Sequence, residues 1–409
     1  MMNNALSSKC RVNTNIENDT FVGLERKDDG FEVSFPLGYH LSNNEKELKK
    51  DILTLLDVLS RYTEKKDSKI KVGQNAEESL GIPIKSYLYL IKDYFERGYY
   101  KERYIHREQA KRGKVDWNRT IKTQKSFIQG NEAYYLDFIV KKNEVNGNEL
   151  ITLIHKYCVY ECFDKLGWLF TSFVPPKPQI VLNKKQMITI VNDKLQNTFN
   201  DRSRELFVNM LAVIKSINDD GDYVFKYGTN RFEYVWEKMI DKVFGIKEKE
   251  HYFPKTTWSL TTGTKHDNDF LEPDSIMLVD GKVYVLDAKY YKYGWSGKPG
   301  HLPGSTSVNK QITYGEYIAE EEKYMYNGNH PTVYNAFIMP YDAKGKTFYT
   351  EKHYHYIGAA TSDWKTGEKT YENIEGILLD IKYLMKLGAH RNQDEILELA
   401  KIIKDNCPI

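Results

Sequence analysis

The sequence predicts an α/β protein with a C-terminal core of strands and helices and an N-terminal mixed α+β domain. Apolar residues make up 41% and charged residues 28% of the 409 residues, which is sufficient for packed cores. Two pairs of strand-like runs are each joined by Asp-Gly, a dipeptide typical of β-hairpins. Between the strand-like runs, apolar residues recur at helical spacing.

The predicted domain boundaries follow from composition. Residues 1–20 are polar and predict a tail, residues 21–174 form an N-terminal region, and residues 175–409 form a C-terminal domain. We place the boundary where Pro175, Pro176 and Pro178 cluster, because proline interrupts both helices and strands.

The N-terminal region begins with a predicted hairpin whose turn is Asp28-Asp29-Gly30. Ser42 and Glu45 have the spacing of a capping box, which predicts the start of an amphipathic helix. Further strands are predicted at 133–142, 276–280, 282–291, 332–341 and 352–360. Further helices are predicted at 83–98, 149–170, 184–197, 202–217, 230–243, 374–387 and 393–404.

Composition also excludes some classes of protein. No apolar run approaches the ~18 residues that a membrane span needs, and the N-terminus lacks the apolar segment of a secretory signal. The four cysteines have no metal-site spacing, and Cys158 and Cys162 fit packing on one helix face. We therefore expect a soluble cytoplasmic protein with no membrane association. The net charge of +2 neither demands nor excludes a nucleic-acid partner.

Residues 101–125 form a local basic segment with nine cations and three anions. Tyr104 and Trp117 are interleaved with the cations, a pattern that suits phosphate contact combined with stacking. A solvated surface or a face for a protein partner would give the same composition. The candidate DNA-binding residues here are Lys111, Arg112, Lys114, Trp117 and Arg119.

Residues 271–292 carry the pattern most specific for chemistry. Asp274 precedes a predicted strand, and a second strand joined to it at Asp280-Gly281 carries Asp287 and Lys289. Since side chains alternate along a strand, Asp287 and Lys289 project to the same side. Two carboxylates suit a hard cation such as Mg²⁺, and a lysine can orient or deprotonate a water or offset developing negative charge.

Pro273-Asp274 followed by Asp287-Ala288-Lys289 is the signature of the PD-(D/E)xK nuclease superfamily. That resemblance implies a restriction-endonuclease-like core that hydrolyses phosphodiester bonds with Mg²⁺. Nucleases of this superfamily often take a further metal-binding Glu from the preceding helix, where Glu233 and Glu237 share a face, and we favour Glu237.

The helix after the hairpin offers further candidates by resemblance. RecB-like and McrC-like nucleases commonly place a Gln and a Tyr there, near the substrate, and the corresponding residues are Gln311 and Tyr314, with Lys310 beside them. The interval in this chain is Q-x2-Y, whereas the usual RecB-type interval is Q-x3-Y. By this resemblance Gln311 is a candidate catalytic residue, and Lys310 and Tyr314 are candidate DNA-binding residues.

Several segments together resemble the LlaJI family of restriction endonucleases, which is itself similar to McrC. They are FVGLERKDDGFEVSFPLGY, GKVDWNRTIK, ELITLIHKYCVYECFDKLGWLF, RFEYVWEKMI and PDSIMLVDGKVYVLDAKYY. The resemblance implies the DNA-cleaving subunit of a bacterial restriction system that acts on double-stranded DNA beside a McrB-like AAA+ NTPase. The sequence has no G-x-x-x-x-G-K-[ST] loop, so we expect the NTPase to be a separate chain.

Two alternative functions remain open. A stand-alone type II restriction enzyme would read its own site through residues 21–174. A non-catalytic adaptor would keep the nuclease fold as a vestige, but the intact Asp274, Asp287 and Lys289 argue against it. On any of these functions, a homodimer is one of the possible assemblies of the chain.

Overall fold

A computed structural model describes residues 6–27, 30–63, 83–146, 149–217, 226–325, 327–388 and 390–408. The predicted Asp28-Asp29 turn lies outside these residues. By internal contacts the chain forms two compact units. The first unit comprises residues 1–80 and 224–409, and the second unit comprises residues 81–223.

The described residues form sixteen strands. In chain order they are β1 (Cys10–Val12), β2 (Val22–Lys27), β3 (Gly30–Phe35), β4 (Glu102–Ala110), β5 (Lys114–Val115), β6 (Ser126–Gln129), β7 (Glu132–Tyr135), β8 (Phe138–Asn146), β9 (Lys226–Thr229), β10 (Thr257–Ser259), β11 (Lys265–Asp267), β12 (Ser275–Val279), β13 (Lys282–Ala288), β14 (Val333–Tyr341), β15 (Tyr354–Ala360) and β16 (Ile374–Asp380).

The same residues form eleven α-helices, of which none is both long and apolar enough to cross a bilayer. In chain order they are α1 (Glu45–Thr63), α2 (Ile84–Arg97), α3 (Trp117–Thr123), α4 (Leu150–Leu166), α5 (Lys184–Gln196), α6 (Asp201–Ser216), α7 (Phe232–Phe244), α8 (Tyr293–Ser296), α9 (Ser305–Glu320), α10 (Ile381–Leu387) and α11 (Gln393–Asn406).

The central sheet of the first unit has the strand order β12-β13-β14-β16-β15. Strands β13, β14 and β16 run parallel, while β12 and β15 are antiparallel edge strands. Helix α9 packs on one face, where Ile312 and Ile318 join a core with Val285 and Phe337. Helices α7 and α11 also pack against this sheet. The fold of this unit is therefore α/β, as predicted.

The N-terminal strands also belong to the first unit. Strands β1, β3, β2 and β9 form a second sheet in which β2 pairs with the distant β9. The sequence predicts a polar tail over residues 1–20, but residues 10–12 form an edge strand parallel to β3. Arg11 anchors this strand through ion pairs to Asp19 at 2.5 Å and Glu32 at 2.7 Å.

The second unit combines helices with small sheets. Helices α2, α4, α5 and α6 pack together, β4, β8 and β5 form a three-stranded sheet, and β6 and β7 form a separate hairpin. The contacts therefore do not divide the chain at the proline cluster near residue 175, where the sequence places its boundary. That extended stretch only links α4 to α5, which pack against each other within the unit.

Local structure confirms most predicted elements and corrects some. Helix α1 is capped by Asn44, whose side chain accepts hydrogen bonds from the backbone N–H groups of Lys46 and Glu47, so the Ser42 cap is wrong. The predicted strand at 133–142 is two strands, β7 and β8. The predicted helix at 374–387 is wrong over Ile374–Asp380, which is the strand β16.

Candidate active site at the end of the central sheet

The β12–β13 hairpin brings two carboxylates together. Its turn residues Asp280 and Gly281 have φ angles of 49° and 72°, the left-handed conformations that a two-residue type I′ turn requires. Ser275 pairs with Leu286, so Asp274 arrives beside Asp287 at the open end of the hairpin. The backbone N–H of Ala288 donates to Oδ2 of Asp274 at 2.9 Å and fixes that carboxyl group.

Lys289 completes this pair of carboxylates. Its Nζ lies 2.8 Å from Oδ2 of Asp287, as expected for two side chains on one side of a strand. Its backbone N–H donates to the carbonyl of Ile338 at 2.9 Å, which extends the pairing of β13 with β14. Burial lowers the pKa of Lys289, but Asp287 and then Asp274 outweigh it and raise the pKa overall. Lys289 is therefore an ammonium at neutral pH.

Helix α7 presents Glu237 to the same cluster. The indole N–H of the neighbouring Trp236 donates to the Ile338 carbonyl at 3.3 Å and holds this part of the helix against β14. Burial raises the pKa of Glu237 to about 7, and the nearby carboxylate of Asp287 contributes to the rise, whereas Lys289 opposes it.

The site brings three carboxyl groups close together, and their pKa values reflect it. Burial raises the pKa of Asp274 well above its usual range, and the carboxylates of Asp287 and then Glu237 add to the rise. Burial is thus the largest cause of the raised pKa values of Asp274 and Glu237, and the proximity of the carboxyl groups to one another adds to it. Within the described ranges, however, no His, Cys, Asp and Glu side chains form a group of three or more that would hold a metal ion in the present geometry. The carboxylates of Asp274 and Asp287 are instead engaged by Ala288 and Lys289.

Gln311 lies beneath the site rather than in it. Its amide Nε2 donates to the Val285 carbonyl at 2.8 Å and to Oδ1 of Asn335 at 3.4 Å. Both partners belong to the sheet, so Gln311 attaches α9 to the strand that carries Asp287. Its hydrogen bonds do not reach the carboxylates.

Lys310 and Tyr314 lie closer to the carboxylates. Partial burial lowers the pKa of Lys310. The hydroxyl of Tyr314 and the carboxylates of Asp287 and Asp274 raise it by more, so the pKa of Lys310 is raised overall. The hydroxyl of Tyr314 donates to the Glu272 carbonyl at 3.2 Å, two residues before Asp274. Helix α9 therefore forms one wall of the site and presents an exposed ammonium, Lys310, beside it.

The other predicted DNA-binding residues lie in the second unit. Lys111, Arg112 and Lys114 are exposed around the turn between β4 and β5, and the exposed Arg119 lies on α3. Trp117 is also exposed and contacts the ring of Phe138 edge-on, with ring centroids 5.7 Å apart. Part of the segment's charge is neutralised internally, since Asp116 accepts ion pairs from Arg107 at 2.9 Å and Lys141 at 3.3 Å.

The sequence did not indicate two groups that support the site. Lys249 donates to the Asp274 carbonyl at 2.5 Å and pairs with Asp241 at 3.1 Å. The buried hydroxyl of Tyr290 accepts from the backbone N–H of Leu37 at 2.7 Å, which ties the end of β13 to the N-terminal strands. Lys249 stands in an ordinary charged run, so only the tertiary structure reveals its contact.

Comparison with solved structures finds similar chains in McrB–McrC assemblies of Thermococcus gammatolerans. One match is to a refined half-complex of McrB AAA+ hexamers with bound McrC, at 17% identity and a TM-score of 0.39, covering 94% of this chain and 83% of that chain. Another is to the McrBC complex, at 18% identity and a TM-score of 0.19, covering 48% and 58%. Neither score is high enough to establish a common fold.

Comparison with curated proteins finds no match. The family model for the LlaJI restriction endonuclease matches residues 21–379. This range includes the hairpin with Asp274 and Asp287, the helix with Glu237 and the helix with Lys310. Because the match covers most of the sequence, the chain belongs to the LlaJI restriction endonuclease family.

Proposed function

We propose that this chain is a Mg²⁺-dependent endonuclease with a PD-(D/E)xK core that hydrolyses DNA phosphodiester bonds in a bacterial restriction system. The observation that carries the proposal is the convergence of Asp274, Asp287 and Lys289 at one end of the central sheet. Family membership supports the same reaction class. The order of the sheet, with an antiparallel hairpin leading into parallel strands, suits such a core.

The donor atoms of the site fit a hard divalent cation. Asp274, Asp287 and Glu237 supply only carboxylate oxygens, the ligand type that Mg²⁺ prefers. Burial is the main cause of the raised pKa values of Asp274 and Glu237, and repulsion by neighbouring carboxylates raises them further. A cation at this position would relieve that repulsion. When bound, Mg²⁺ would polarise a phosphate oxygen and lower the pKa of a coordinated water.

The remaining chemistry belongs to the side chains around the carboxylates. Lys289 is held as an ammonium beside Asp287, so it suits stabilisation of the charge that develops on the phosphate rather than removal of a proton. Lys310 can contact a neighbouring phosphate of the DNA strand. Gln311 acts as a positioning residue, because its hydrogen bond fixes the backbone of β13 two residues before Asp287.

The proposal includes a McrB-like AAA+ NTPase as partner and places the reaction in the cytoplasm, where bacterial DNA lies. The support for this partner is the sequence resemblance to McrC. Because one site of this kind cuts one strand at a time, a double-strand break requires two sites, which two copies of the chain would provide. The exposed basic segment around Lys111 would contact DNA or the partner.

The test is cleavage of supercoiled plasmid DNA by the purified chain, alone and with its NTPase and a nucleoside triphosphate. We expect nicked or linear DNA in Mg²⁺ and none when EDTA removes the metal. Cutting by the chain alone would identify a stand-alone enzyme, and cutting only with the NTPase would identify a cleavage subunit. Absence of cutting in every combination would contradict the proposed function.

A further inference from the structure

A β-hairpin arm leaves the first unit just before the candidate active site. The arm consists of residues 255–270 and contains β10 and β11, which pair only with each other. Along 255–267 every residue is exposed, so the arm does not pack against the core. Its base is closed where the backbone N–H of Leu271 donates to the Pro254 carbonyl at 2.9 Å.

The arm is an ordered hairpin despite this exposure. At its tip the backbone N–H of Gly263 donates to the Leu260 carbonyl at 3.0 Å, and that of Leu260 donates to the Thr264 carbonyl at 2.9 Å. Gly263 has a φ of 84°, which fits a type I turn followed by a left-handed residue. On one face, Asp267 bonds to Lys255 at 2.6 Å and to Thr257 at 2.7 Å. These contacts preform the arm, so a ligand would meet it without a large ordering cost.

The surface of the arm suits DNA. Among residues 255–267 five are Thr and one is Ser, which supplies hydroxyl groups for hydrogen bonds to phosphates or base edges. The carboxylate of Asp267 is already paired with Lys255, which leaves Lys265 as a cation that no described residue engages in an ion pair. Trp258 is 61% exposed and lies opposite His266, so one face presents an unburied aromatic ring. A two-stranded ribbon of this kind fits the major groove.

The base of the arm lies close to Asp274, where a DNA phosphate would bind. Leu271 is three residues from Asp274, a separation of at most about 11 Å along an extended chain. The Glu272 carbonyl between them is bound by Tyr314 of α9, so the base of the arm adjoins the wall that carries Lys310. One strand of six residues, 255–260, reaches about 20 Å. DNA that brings a phosphate to Asp274 therefore passes beside this base.

We propose that the arm of residues 255–270 is a DNA clasp that places Trp258 in a groove of the duplex next to the cleaved phosphate, with Lys265 on the other face of the ribbon in contact with the phosphate backbone. This inference rests on the proposed nuclease function and adds a DNA contact outside the carboxylate cluster. The arm carries two lysines and two aspartates, among them the exposed Asp269 near its base, so its charge alone does not select DNA. What selects DNA as the occupant is the position of the arm beside Asp274, together with its hydroxyl groups and the unburied ring of Trp258.

Photo-crosslinking tests the contact directly. The full chain carrying Trp258→p-benzoylphenylalanine is irradiated with labelled duplex DNA and, where cleavage requires it, the NTPase. We expect a crosslink to DNA, and a crosslink only to protein or no crosslink would overturn the proposal. The matched control is Phe199→p-benzoylphenylalanine, since Phe199 is 92% exposed but lies in the second unit, between α5 and α6. This readout does not depend on cleavage, so it separates failure of the arm from failure of the nuclease.

Two substitutions then measure the contribution of the arm under conditions in which the wild type cuts. Trp258→Ala should raise the DNA concentration at half-maximal rate at least about five-fold while leaving the maximal rate within about two-fold, as expected when an apolar contact with the base edges in the groove is lost. Lys265→Ala should reduce the dependence of log affinity on log salt by somewhat under one unit. Unchanged values for both variants, with an unchanged thermal midpoint, would overturn the proposal while leaving the nuclease assignment intact.

Discussion

At the scale of single residues, protonation states distinguish the roles of the charged groups. Asp287 keeps Lys289 as an ammonium, whereas burial brings the pKa of Glu237 to about 7. Near neutral pH, Glu237 is therefore an incompletely ionised carboxyl group beside Asp287. A cation that binds the cluster would favour the carboxylate form of Glu237, so this residue should contribute to metal affinity more than to folding.

The first prediction concerns the two acidic residues of α7. Glu237→Gln should increase the Mg²⁺ concentration needed for half-maximal cleavage about ten-fold or more, because a neutral amide replaces a carboxylate that would bind the metal ion. Glu233→Gln is the matched control, one helical turn away on the same helix, and should have a smaller effect. A Mg²⁺ titration of the cleavage rate compares the two variants, and the reverse ranking would assign the role to Glu233.

At the scale of elements, the position of Lys310 depends on how closely α9 approaches the sheet. Gly315 allows this approach, because a Cβ there would lie 2.6 Å from Nδ2 of Asn335 and 2.7 Å from Cβ of Tyr371. The hydrogen bond from Gln311 to Val285 fixes the same interface. The helix is therefore held at a distance that a single methyl group would change.

Gly315→Ala should lower the free energy of unfolding by about 1–3 kcal/mol through overpacking. It should also reduce cleavage, because α9 must move away from the strand that carries Asp287. Gly300→Ala is the control, since Gly300 is exposed just before the same helix and no atom beyond its chain neighbours lies within 4 Å of a Cβ there. Denaturant unfolding measures both variants, and equal stability losses would show that the close approach at Gly315 is unimportant.

The active-site hairpin could be predicted from sequence because each of its signals is local. The Asp-Gly turn and the alternation along β13 suffice to bring Asp287 and Lys289 to one side. Strand β16 could not be recognised in this way, because Ile374–Leu379 is buried on both faces and the run then continues into the short helix α10. A strand that is buried on both faces shows no alternation of apolar and polar residues, and here Glu375 and Gly376 also interrupt the apolar run.

At the scale of the whole molecule, the first compact unit is built from two separate stretches of sequence, and the second unit lies between them in the chain. The first unit includes both ends of the chain, because β2 pairs with β9 across roughly two hundred residues. A search of the sequence for one linker cannot detect an inserted unit. The proline cluster is a correct sign of extended backbone but not of a unit boundary. Whether residues 101–125 bind DNA or a partner stays a prediction.

Replacement of Lys111, Arg112 and Lys114 together by Ala separates these roles. Phosphate binding predicts weaker DNA affinity and a shallower dependence of log K on log salt, by somewhat under one unit for each phosphate that the variant no longer neutralises. Partner docking predicts unchanged DNA binding but no co-purification with the NTPase. Because all three side chains are exposed, the thermal midpoint should stay within about 2 °C. If the variant keeps both DNA affinity and partner assembly, the segment is only a solvated surface.

The central claim is that Asp274, Asp287 and Lys289 form a metal-dependent cleavage site, and one comparison of plasmid cutting tests it most directly. Asp287→Asn removes a carboxylate of the site, while Asp280→Asn makes the same chemical change in the exposed turn of the same hairpin, where Asn-Gly is equally suitable. We predict that, under conditions in which the wild type cuts, Asp287→Asn lowers the rate at least about 100-fold with an unchanged thermal midpoint, and that Asp280→Asn cuts like the wild type. Cutting by Asp287→Asn at the wild-type rate in saturating Mg²⁺ would contradict the account.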